Sequence, residues 1–349
     1  MSVSYGGDSI TFADSSTIAS GFTGFKNRII NGGMDIAQRG TSFTSTSSAN
    51  NDDTYVLDRF YILSDGNDIV DVTQTTTVPT GAKYSIGLDV ETVDKKFGIA
   101  QIIENANCYD AIGGNVTISF QAKVSATANL DNIKCAIVAW SGTADTVTSD
   151  IISAWGVEGT NPTLIANATY ENTPANLGVT TSFATYSVTA NVDTASTSNI
   201  ILFIWSDVTT TALGEFLYIT NVQLEKGSTA TSFEYLPYGT ELALCQRYYE
   251  LFGHGGAGKA GSGNANAEMA FTFQVTKRMA PSVLFVGSAS NDAISECAVA
   301  TRKISSIAGT STGVNGAYVN SQTTVNGSGG VVISFPGGLA PWLSADAEL

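Results

Sequence analysis

Apolar and polar residues alternate along the central part of the chain. In NVTISFQAKV, residues 115–124, every second side chain from Val116 to Val124 is apolar, and the intervening ones are Thr, Ser, Gln and Lys. A period of two residues indicates a β-strand with one buried face. Six further strand-like segments follow one another between residues 84 and 227: YSIGLDVETV, FGIAQIIE, IKCAIVAW, FATYSVTANV, NIILFIWS and FLYITNVQLEKG. Strands without intervening helices predict a mostly β chain whose main domain, residues 26–238, is a two-sheet antiparallel sandwich.

Two shorter patterns precede these strands. Asn31-Gly32-Gly33 lies between isoleucines at positions 29, 30 and 36, which predicts a β-hairpin around this turn. The segment TYVLDRFYIL, residues 54–63, predicts a further strand.

Helical spacing is found in one segment, residues 241–252. Two apolar stripes predict a helix here, with Thr240 as N-cap and Gly253 as the C-terminal stop. The first stripe contains Leu242, Cys245, Tyr249 and Phe252, and the second contains Leu244, Tyr248 and Leu251. Because so short a helix is marginal in water, we expect one stripe to pack on the chain's own sheets and the other on further copies of the chain.

The remaining segments complete the predicted domain organisation. Residues 1–25 contain one strand-like stretch, too short to hold a core, and are expected to be an arm that binds another protein. After the helical segment, 239–253, the sequence GHGGAGKAGSGNANAE predicts a flexible linker at 254–268. Residues 269–349 predict a small C-terminal β-sandwich module, which needs neighbouring subunits to complete its core.

Charge excludes several classes of partner. Charged residues make up 13% of the chain and the net charge is -15, with no Lys or Arg between Cys135 and Glu225. Nucleic acids and anionic membranes need clustered cations, so neither is expected as a partner. No apolar run is long enough to insert into a bilayer, and the first residues resemble no signal peptide. Four widely spaced cysteines predict free buried thiols in a protein made in a reducing cytosol.

Catalytic chemistry has little support in the sequence. GHGGAGKA, residues 253–260, is close to a phosphate-binding loop but lacks the preceding strand and following helix, and His254 lies in the same predicted linker. Two carboxylates would be needed for glycan hydrolysis, and the candidates are Asp89, Glu91, Asp94 and Glu104. We expect no catalytic residue and no transition-metal site. Structural Ca²⁺ is left open at the oxygen-rich loops 51–53 and 65–68.

Exposed aromatic rings are the usual platform for sugars, because the apolar faces of sugar rings stack on them. Trp140 ends the segment IKCAIVAW and Trp155 precedes a loop, so both are candidate glycan-binding residues. The alternative for each is a place in the core or at a subunit interface. Trp205 continues an apolar strand face and is predicted to lie in the core.

The sequence resembles the modular appendage proteins of tailed bacteriophages, which include tail fibres, receptor-binding proteins and related virion fibres. The segments that carry the resemblance are KNRIINGGMDIAQRG (26–40), YVLDRF (55–60), ITNVQLEKGSTATSFEYLPYGTELALCQRYYEL (219–251), FTFQVTKRMAPSV (271–283) and the terminal ADAEL. The third segment resembles the junction at which a carbohydrate-binding-module-like jelly roll ends in these proteins. Their order along the chain is more specific than any one of them.

This resemblance implies a location on the virion, a homotrimer, contact with host-surface glycans and no shared catalytic residue. In such a trimer, residues 1–25 would dock to other phage proteins. We assign Leu242, Cys245, Tyr249 and Phe252 to the three-fold axis, although the two stripes can be exchanged. A tail fibre or receptor-binding protein is the leading interpretation. A capsid-attached head or neck fibre, a glycan depolymerase and a secreted cellular adhesin are the alternatives.

Overall fold

The computed structural model describes residues 4–6, 9–11, 17–19, 25–45, 48–252, 257–260, 266–285, 293–295, 301–323, 330–332 and 343–349. The strands before the first helix are β1 (Ser4–Gly6), β2 (Ser9–Thr11), β3 (Thr17–Ala19), β4 (Ser42–Phe43), β5 (Tyr61–Ser64), β6 (Val70–Thr75), β7 (Ser85–Val90) and β8 (Phe97–Ile103). Between helix α1 (Asn105–Cys108) and helix α2 (Tyr238–Gln246) lie β9 (Asn115–Val124), β10 (Ile133–Trp140), β11 (Ile152–Ala154), β12 (Thr163–Leu164), β13 (Ala168–Tyr170), β14 (Ala184–Asn191), β15 (Asn199–Ser206) and β16 (Phe216–Lys226). After α2 follow β17 (Tyr249–Phe252), β18 (Ala257–Ala260), β19 (Asn266–Thr272), β20 (Ser282–Phe285), β21 (Ala293–Ser295), β22 (Thr301–Gly313), β23 (Gly316–Thr323), β24 (Gly330–Val332) and β25 (Leu343–Asp346).

Two antiparallel sheets form the main domain. One has the strand order β13-β10-β15-β8-β5 and the other β14-β9-β16-β7-β6-β4. Their facing side chains form one apolar core, in which Ile99 and Ile137 of the first sheet meet Ile118 and Leu88 of the second. All seven segments predicted as strands between residues 84 and 227 contain a strand. The predicted antiparallel sandwich is therefore confirmed.

A second apolar layer covers the outer face of the five-stranded sheet. Its centre is the stacked pair Phe203 and Trp205, with ring centroids 4.4 Å apart and planes at 9°. Ile151 from a long connection and Leu349 from the chain terminus pack against this layer. The five-stranded sheet is consequently buried on both sides, which explains why NIILFIWS is almost continuously apolar.

The helix near residue 240 is shorter than predicted. It ends at Gln246, and Tyr249–Phe252 instead forms β17, paired with β25. Aromatic residues favour strands, and the ladder with β25 satisfies backbone groups that a last helical turn would leave unpaired. The N-cap residue is Pro237, so the predicted Thr240 cap is also wrong.

The apolar stripe assigned to a three-fold axis is largely covered by the chain itself. Cys245 is fully buried against Ile30 and Ile36, while Leu242 packs at the edge of the same cluster. Tyr249 and Phe252 are 6% and 7% exposed. The stripe therefore offers no continuous exposed surface. Tyr249 and Phe252 belong to a strand, and Cys245 packs inward on Ile30 and Ile36.

The C-terminal strand and the residues after it pack against residues near the start of the main domain. β25 lies between β17 and β20, and the residues after it contact the segment predicted as the strand TYVLDRFYIL. Arg59, with a positive φ of 71°, forms an ion pair with Glu348, and the Tyr55 hydroxyl donates to the Leu349 carbonyl oxygen at 2.8 Å. Residues 55–60 form turns and one isolated bridge, so only the second half of that predicted strand, β5, is correct.

The predicted linker is also partly wrong. β18 and the start of β19 fall within residues 254–268 and pair with each other in a second six-stranded sheet, of order β21-β22-β23-β19-β18-β24. β18 also pairs with β24, and β19 also pairs with β23. These parts of the predicted flexible linker are therefore strands.

Several smaller predictions concern buried thiols and membranes. Cys108, Cys135 and Cys245 are free and buried, as predicted, whereas Cys297 and His254 lie outside the described residues. Burial raises the pKa of the Cys108 thiol to about 12. Within the described part of the chain, neither helix is long and apolar enough to cross a membrane.

Candidate functional site

The two tryptophans proposed for glycan binding are buried. Trp140 is 9% and Trp155 8% exposed, both within the apolar layer outside the five-stranded sheet. The Trp140 indole donates to the Thr143 carbonyl at 3.0 Å, and Trp155 contacts Phe203 edge-on at 6.0 Å. Both rings therefore lie in the core, the alternative considered for each, because the connection after Trp140 folds back over this sheet. Trp205, which was predicted to be core, is fully buried.

Of the acidic residues considered for hydrolysis, Glu91 lies close to Asp89, whereas Glu104 lies apart from both. Asp89 lies on β7 of the six-stranded sandwich sheet, and Glu104 follows β8 of the opposite sheet. Glu104 accepts hydrogen bonds from Arg247 at 2.7 and 3.0 Å and from the Tyr248 hydroxyl at 2.7 Å. Burial raises the pKa of Glu104, but these hydrogen bonds outweigh it and lower the pKa below its usual value. Glu104 therefore anchors helix α2 to the sandwich.

A partly exposed aromatic surface lies on the outer face of the six-stranded sandwich sheet. Phe216 and Tyr218 point to this face from alternate positions of β16, and their rings stack at 5.3 Å with planes at 5°. Lys123, opposite Tyr218 on β9, lies 5.1 Å from the Tyr218 ring and 5.3 Å from the Phe183 ring. We call Phe183, Phe216 and Tyr218, together with Lys123, the aromatic strip.

Carboxylates adjoin one end of the aromatic strip. Phe216 pairs with Asp89, and Asp89 pairs in turn with Asp71 on β6, so the three side chains form one row across the sheet. Burial, followed by the nearby carboxylates of Glu91 and Asp71, raises the pKa of Asp89 to about 6. This end of the strip is consequently acidic.

A β-bulge lies at the other end. The register between β16 and β9 shifts between Thr220 and Gln223, and Asn221 within the bulge has a φ of 52°. Val222 next to it donates its N–H to the Gly32 carbonyl at 2.9 Å. Asn tolerates a left-handed backbone better than most residues, and bulges turn side chains away from the regular alternation. The bulge thereby directs Asn221 to the outer face.

The Asn221 cleft is a cavity of about 290 Å³ next to this bulge. It is lined by Thr80, Ser119, Phe120, Gln121, Thr185, Asn221, Thr231, Ser232, Phe233 and Tyr235. The Asn221 amide donates to Gln121 Oε1 at 2.7 Å and to the Tyr235 hydroxyl at 3.2 Å. Asn221 is 6% exposed, and its Oδ1 has no hydrogen-bond partner among the described residues. A buried polar atom without a partner is uncommon and costly, which marks this position as a ligand site candidate.

The wall of the cleft comes from the chain that follows β16. Glu225 accepts from the Thr231 N–H and hydroxyl, both at 2.8 Å, and Glu234 donates its N–H to Gln223 Oε1 at 2.9 Å. These bonds turn the segment back over the sheet. Phe233 and Tyr235 then meet edge to face at 4.8 Å, with Tyr235 57% exposed. The strip and the cleft are neighbours, because Tyr218 and the cleft's Gln121 are one side-chain row apart.

The loops considered for Ca²⁺ are organised by hydrogen bonds. Asp52 Oδ1 accepts from the N–H of Ser64 at 2.7 Å and from that of Asp53 at 3.1 Å. Within the described residues, no group of three or more His, Cys, Asp or Glu side chains is placed to hold a metal ion. The hydrogen bonds of Asp52 are those by which an Asp side chain organises a turn, so turn chemistry accounts for the loop 51–53.

Comparison with known proteins yields distant structural likenesses. No family model and no curated protein sequence matches the chain. Among solved structures, the enzymatically active domain of tailspike protein 4 of bacteriophage CBA120 aligns at 17% identity and a TM-score of 0.35, covering 57% of this chain and 21% of that one. A structure from work on the promiscuous specificity of carbohydrate-binding modules of the β-sandwich superfamily aligns at 12% identity and a TM-score of 0.35, covering 62% of this chain and 71% of that one. A putative sugar-binding protein from Bacteroides thetaiotaomicron aligns at 13% identity and a TM-score of 0.34, covering 58% of this chain and 100% of that one.

These likenesses do not decide the function. This chain spans about a fifth of the tailspike chain. At such identities and TM-scores the likenesses carry no argument, so any inference about a ligand has to rest on the chain's own residues.

Sequence reasoning missed the strip and the cleft, although β16 contains a signal of the bulge. Its apolar positions are odd-numbered at Leu217 and Ile219 and even-numbered at Val222 and Leu224. A change of phase within one strand indicates an inserted residue. The phase change falls at Thr220 and Asn221, so the sequence alone can locate the bulge at this pair of residues.

Proposed function

We propose that this chain is a non-enzymatic structural protein of a tailed-phage virion, a trimeric tail fibre or receptor-binding protein. It binds a host-surface glycan through the aromatic strip and the Asn221 cleft. The observation that carries the proposal is the combination of partly exposed rings with buried, unsatisfied hydrogen-bonding groups on one sheet face. Stacking on the rings and hydrogen bonds to hydroxyls are the two interactions that a sugar offers. The phage-appendage motifs of the sequence support the virion location.

Binding of the purified chain to host-surface polysaccharide tests this proposal. Tyr218→Ala removes the central ring of the strip and should weaken binding at least tenfold, which corresponds to ~1.4 kcal/mol. Tyr109→Ala is the matched control, because Tyr109 is 67% exposed and lies outside the strip and the cleft. Equal affinity of Tyr218→Ala and wild type would contradict the proposed surface.

The same assay separates binding from cleavage. We expect no release of reducing ends from the polysaccharide during incubation. Release that disappears in Asp89→Asn would instead favour the depolymerase alternative, since Asp89 adjoins the strip and lies opposite a second carboxylate.

Assembly and attachment need separate measurements. A homotrimer should have a mass of about three times 36.3 kDa in native mass spectrometry, and a monomer at micromolar concentration would contradict it. In this proposal residues 1–25 dock the protein to the particle, and it is made in the host cytoplasm. Antibody labelling of intact particles should mark the tail. Labelling of the capsid would favour the head or neck fibre alternative.

A further inference from the structure

The lining of the Asn221 cleft is uncharged throughout. Its described lining residues carry hydroxyl, amide and aromatic side chains, and no Lys, Arg, Asp or Glu is among them. The nearest carboxylate on this part of β16, that of Glu225, is occupied by Thr231 and by the Gln223 amide at 2.9 Å. Lys26 lies beside this wall, and its ammonium donates to Thr231 Oγ1 and to the Ser232 carbonyl oxygen, each at 2.5 Å. The charges next to the cleft are thus already engaged, so a charged ligand group would be taken out of water without a free counter-ion in the lining, which is unfavourable.

The size of the cleft limits how much of a ligand can enter. A volume of about 290 Å³ is at the lower end of the ~300–1,000 Å³ of small-molecule sites. It fits one sugar residue, while neighbouring residues of a glycan chain would extend towards the aromatic strip. Tyr235 provides an exposed ring at the mouth of the cleft, and Phe233 fixes the orientation of that ring.

Asn221 is the polar group in the cleft whose hydrogen bonding is incomplete. Its amide nitrogen is fixed by Gln121 and Tyr235, so its rotamer is held while Oδ1 remains without a donor. A ligand hydroxyl is a suitable donor for this oxygen. Because a buried acceptor discriminates strongly against an analogue that lacks the hydroxyl, Asn221 is placed to determine specificity.

Resting on the glycan-binding function proposed above, we infer that the Asn221 cleft is a subsite for a single uncharged sugar residue, one of whose hydroxyls donates to Asn221 Oδ1. The aromatic strip then supplies affinity along the chain, and the cleft supplies the choice of sugar.

Ligand-observed NMR with the full chain tests the sugar class. The probes are methyl glycosides of glucose, galactose and mannose, the corresponding uronic acids, the 2-amino sugars, and the monodeoxy analogues of any neutral sugar that binds. We expect binding of at least one neutral glycoside, at least tenfold weaker binding of its charged analogues, and one deoxy position that weakens binding about tenfold. Charged analogues that bind as well as the neutral sugar would overturn the inference.

Asn221→Gly tests the assigned contact without adding backbone strain, since Gly adopts positive φ freely. It should lose the neutral sugar at least tenfold, and the sensitive deoxy analogue should no longer differ from its parent sugar. Asn167→Gly is the matched control, because Asn167 also has a positive φ, of 68°, and is exposed beside the other sheet. Retained discrimination in Asn221→Gly would refute the contact.

The outcomes separate this inference from the function on which it rests. Polysaccharide binding that depends on Tyr218 but not on Asn221, or that occurs without any monosaccharide signal, leaves the proposed function standing and overturns the subsite. Failure of every variant and of wild type to bind polysaccharide overturns both.

Discussion

Replacing Gly32 by Ala should destabilise the protein through the bulge that positions Asn221. A Cβ at position 32 would lie 2.0 Å from the Val222 carbonyl oxygen and 3.2 Å from the Phe233 ring. The first neighbour is backbone and has no rotamer with which to avoid the clash. The turn and the bulge must therefore separate by more than an ångström, and the hydrogen bond from Val222 N–H to the Gly32 carbonyl would be lost or stretched.

Two contributions set the magnitude. Overpacking of a well-packed site costs about 1–3 kcal/mol, and the hydrogen bond adds roughly 1 kcal/mol. We thus expect Gly32→Ala to lower the free energy of unfolding by about 2–4 kcal/mol. Sugar binding by the folded fraction should also weaken, because Asn221 and Phe233 are displaced together.

The adjacent glycine is an internal control for this prediction. A Cβ at Gly33 would meet its nearest atom, Asp35 Oδ2, at 3.1 Å, and a side-chain carboxylate can move aside. Gly33→Ala should cost less than about 1 kcal/mol. Urea unfolding followed by tryptophan fluorescence, with the same slope required for all three proteins, gives the difference. If Gly32→Ala unfolds within 0.5 kcal/mol of Gly33→Ala (roughly the scatter of surface substitutions), the contact between turn and bulge does not hold.

Three further predictions concern buried charge. Burial and two neighbouring aspartates raise the pKa of Asp53 from 3.8 to about 7. The folded state therefore binds this proton more tightly than the unfolded state, and stability falls as the pH rises from about 4 to about 7. In thermal unfolding, Asp53→Asn should gain about 1–2 kcal/mol near pH 8 but almost nothing near pH 4. Lys277→Met should cost about 3–5 kcal/mol in urea unfolding because it leaves Glu250 buried and unpaired, and the double variant with Glu250→Gln should recover most of this loss. Deleting residues 347–349 leaves the buried Arg59 without its carboxylate and should cost about 3 kcal/mol or more, whereas unchanged unfolding would show that the C-terminus is dispensable.

The sandwich could be predicted from sequence because its signal is local. Strands such as β9 and β15 have patterns set by burial on one face or on both, and these patterns are readable without knowing which strand lies beside which. Trp205 was predicted as core on the same grounds, from the phase of Ile201 and Phe203.

The predicted helix shows where a local signal is insufficient. Residues 241–252 have helical spacing throughout, yet only the part up to Gln246 is helical. The remainder pairs with β25, which is about a hundred residues away in sequence. A pattern of twelve residues does not reveal so distant a partner. Pairing with β25 overrides the helical pattern because the hydrogen bonds between the strands satisfy backbone N–H and C=O groups.

The tryptophans and the candidate site failed for a related reason. Whether Trp140 is exposed depends on the path of the connection after it, which folds back over its sheet. The Asn221 cleft needs a bulge, a turn near Gly32 and a segment returning over β9. Each of these can be suspected from the sequence, but their convergence is a tertiary property.

The origin of the cleft residues bears on what the phage-appendage resemblance implies. Thr231, Phe233 and Tyr235 in its wall belong to the segment 219–251 that carries the resemblance, and Gly32 in the turn behind the bulge belongs to another such segment. Ser119, Gln121 and Thr185, which the sheet contributes, lie outside all of these segments. The resemblance therefore covers the turn, the bulge with Asn221 and the returning wall, but not the side chains that β9 and β14 contribute. In this chain the acceptor Asn221 thus comes from a segment that carries the resemblance, while positions 119, 121 and 185 on β9 and β14 complete the hydrogen-bonding surface around it.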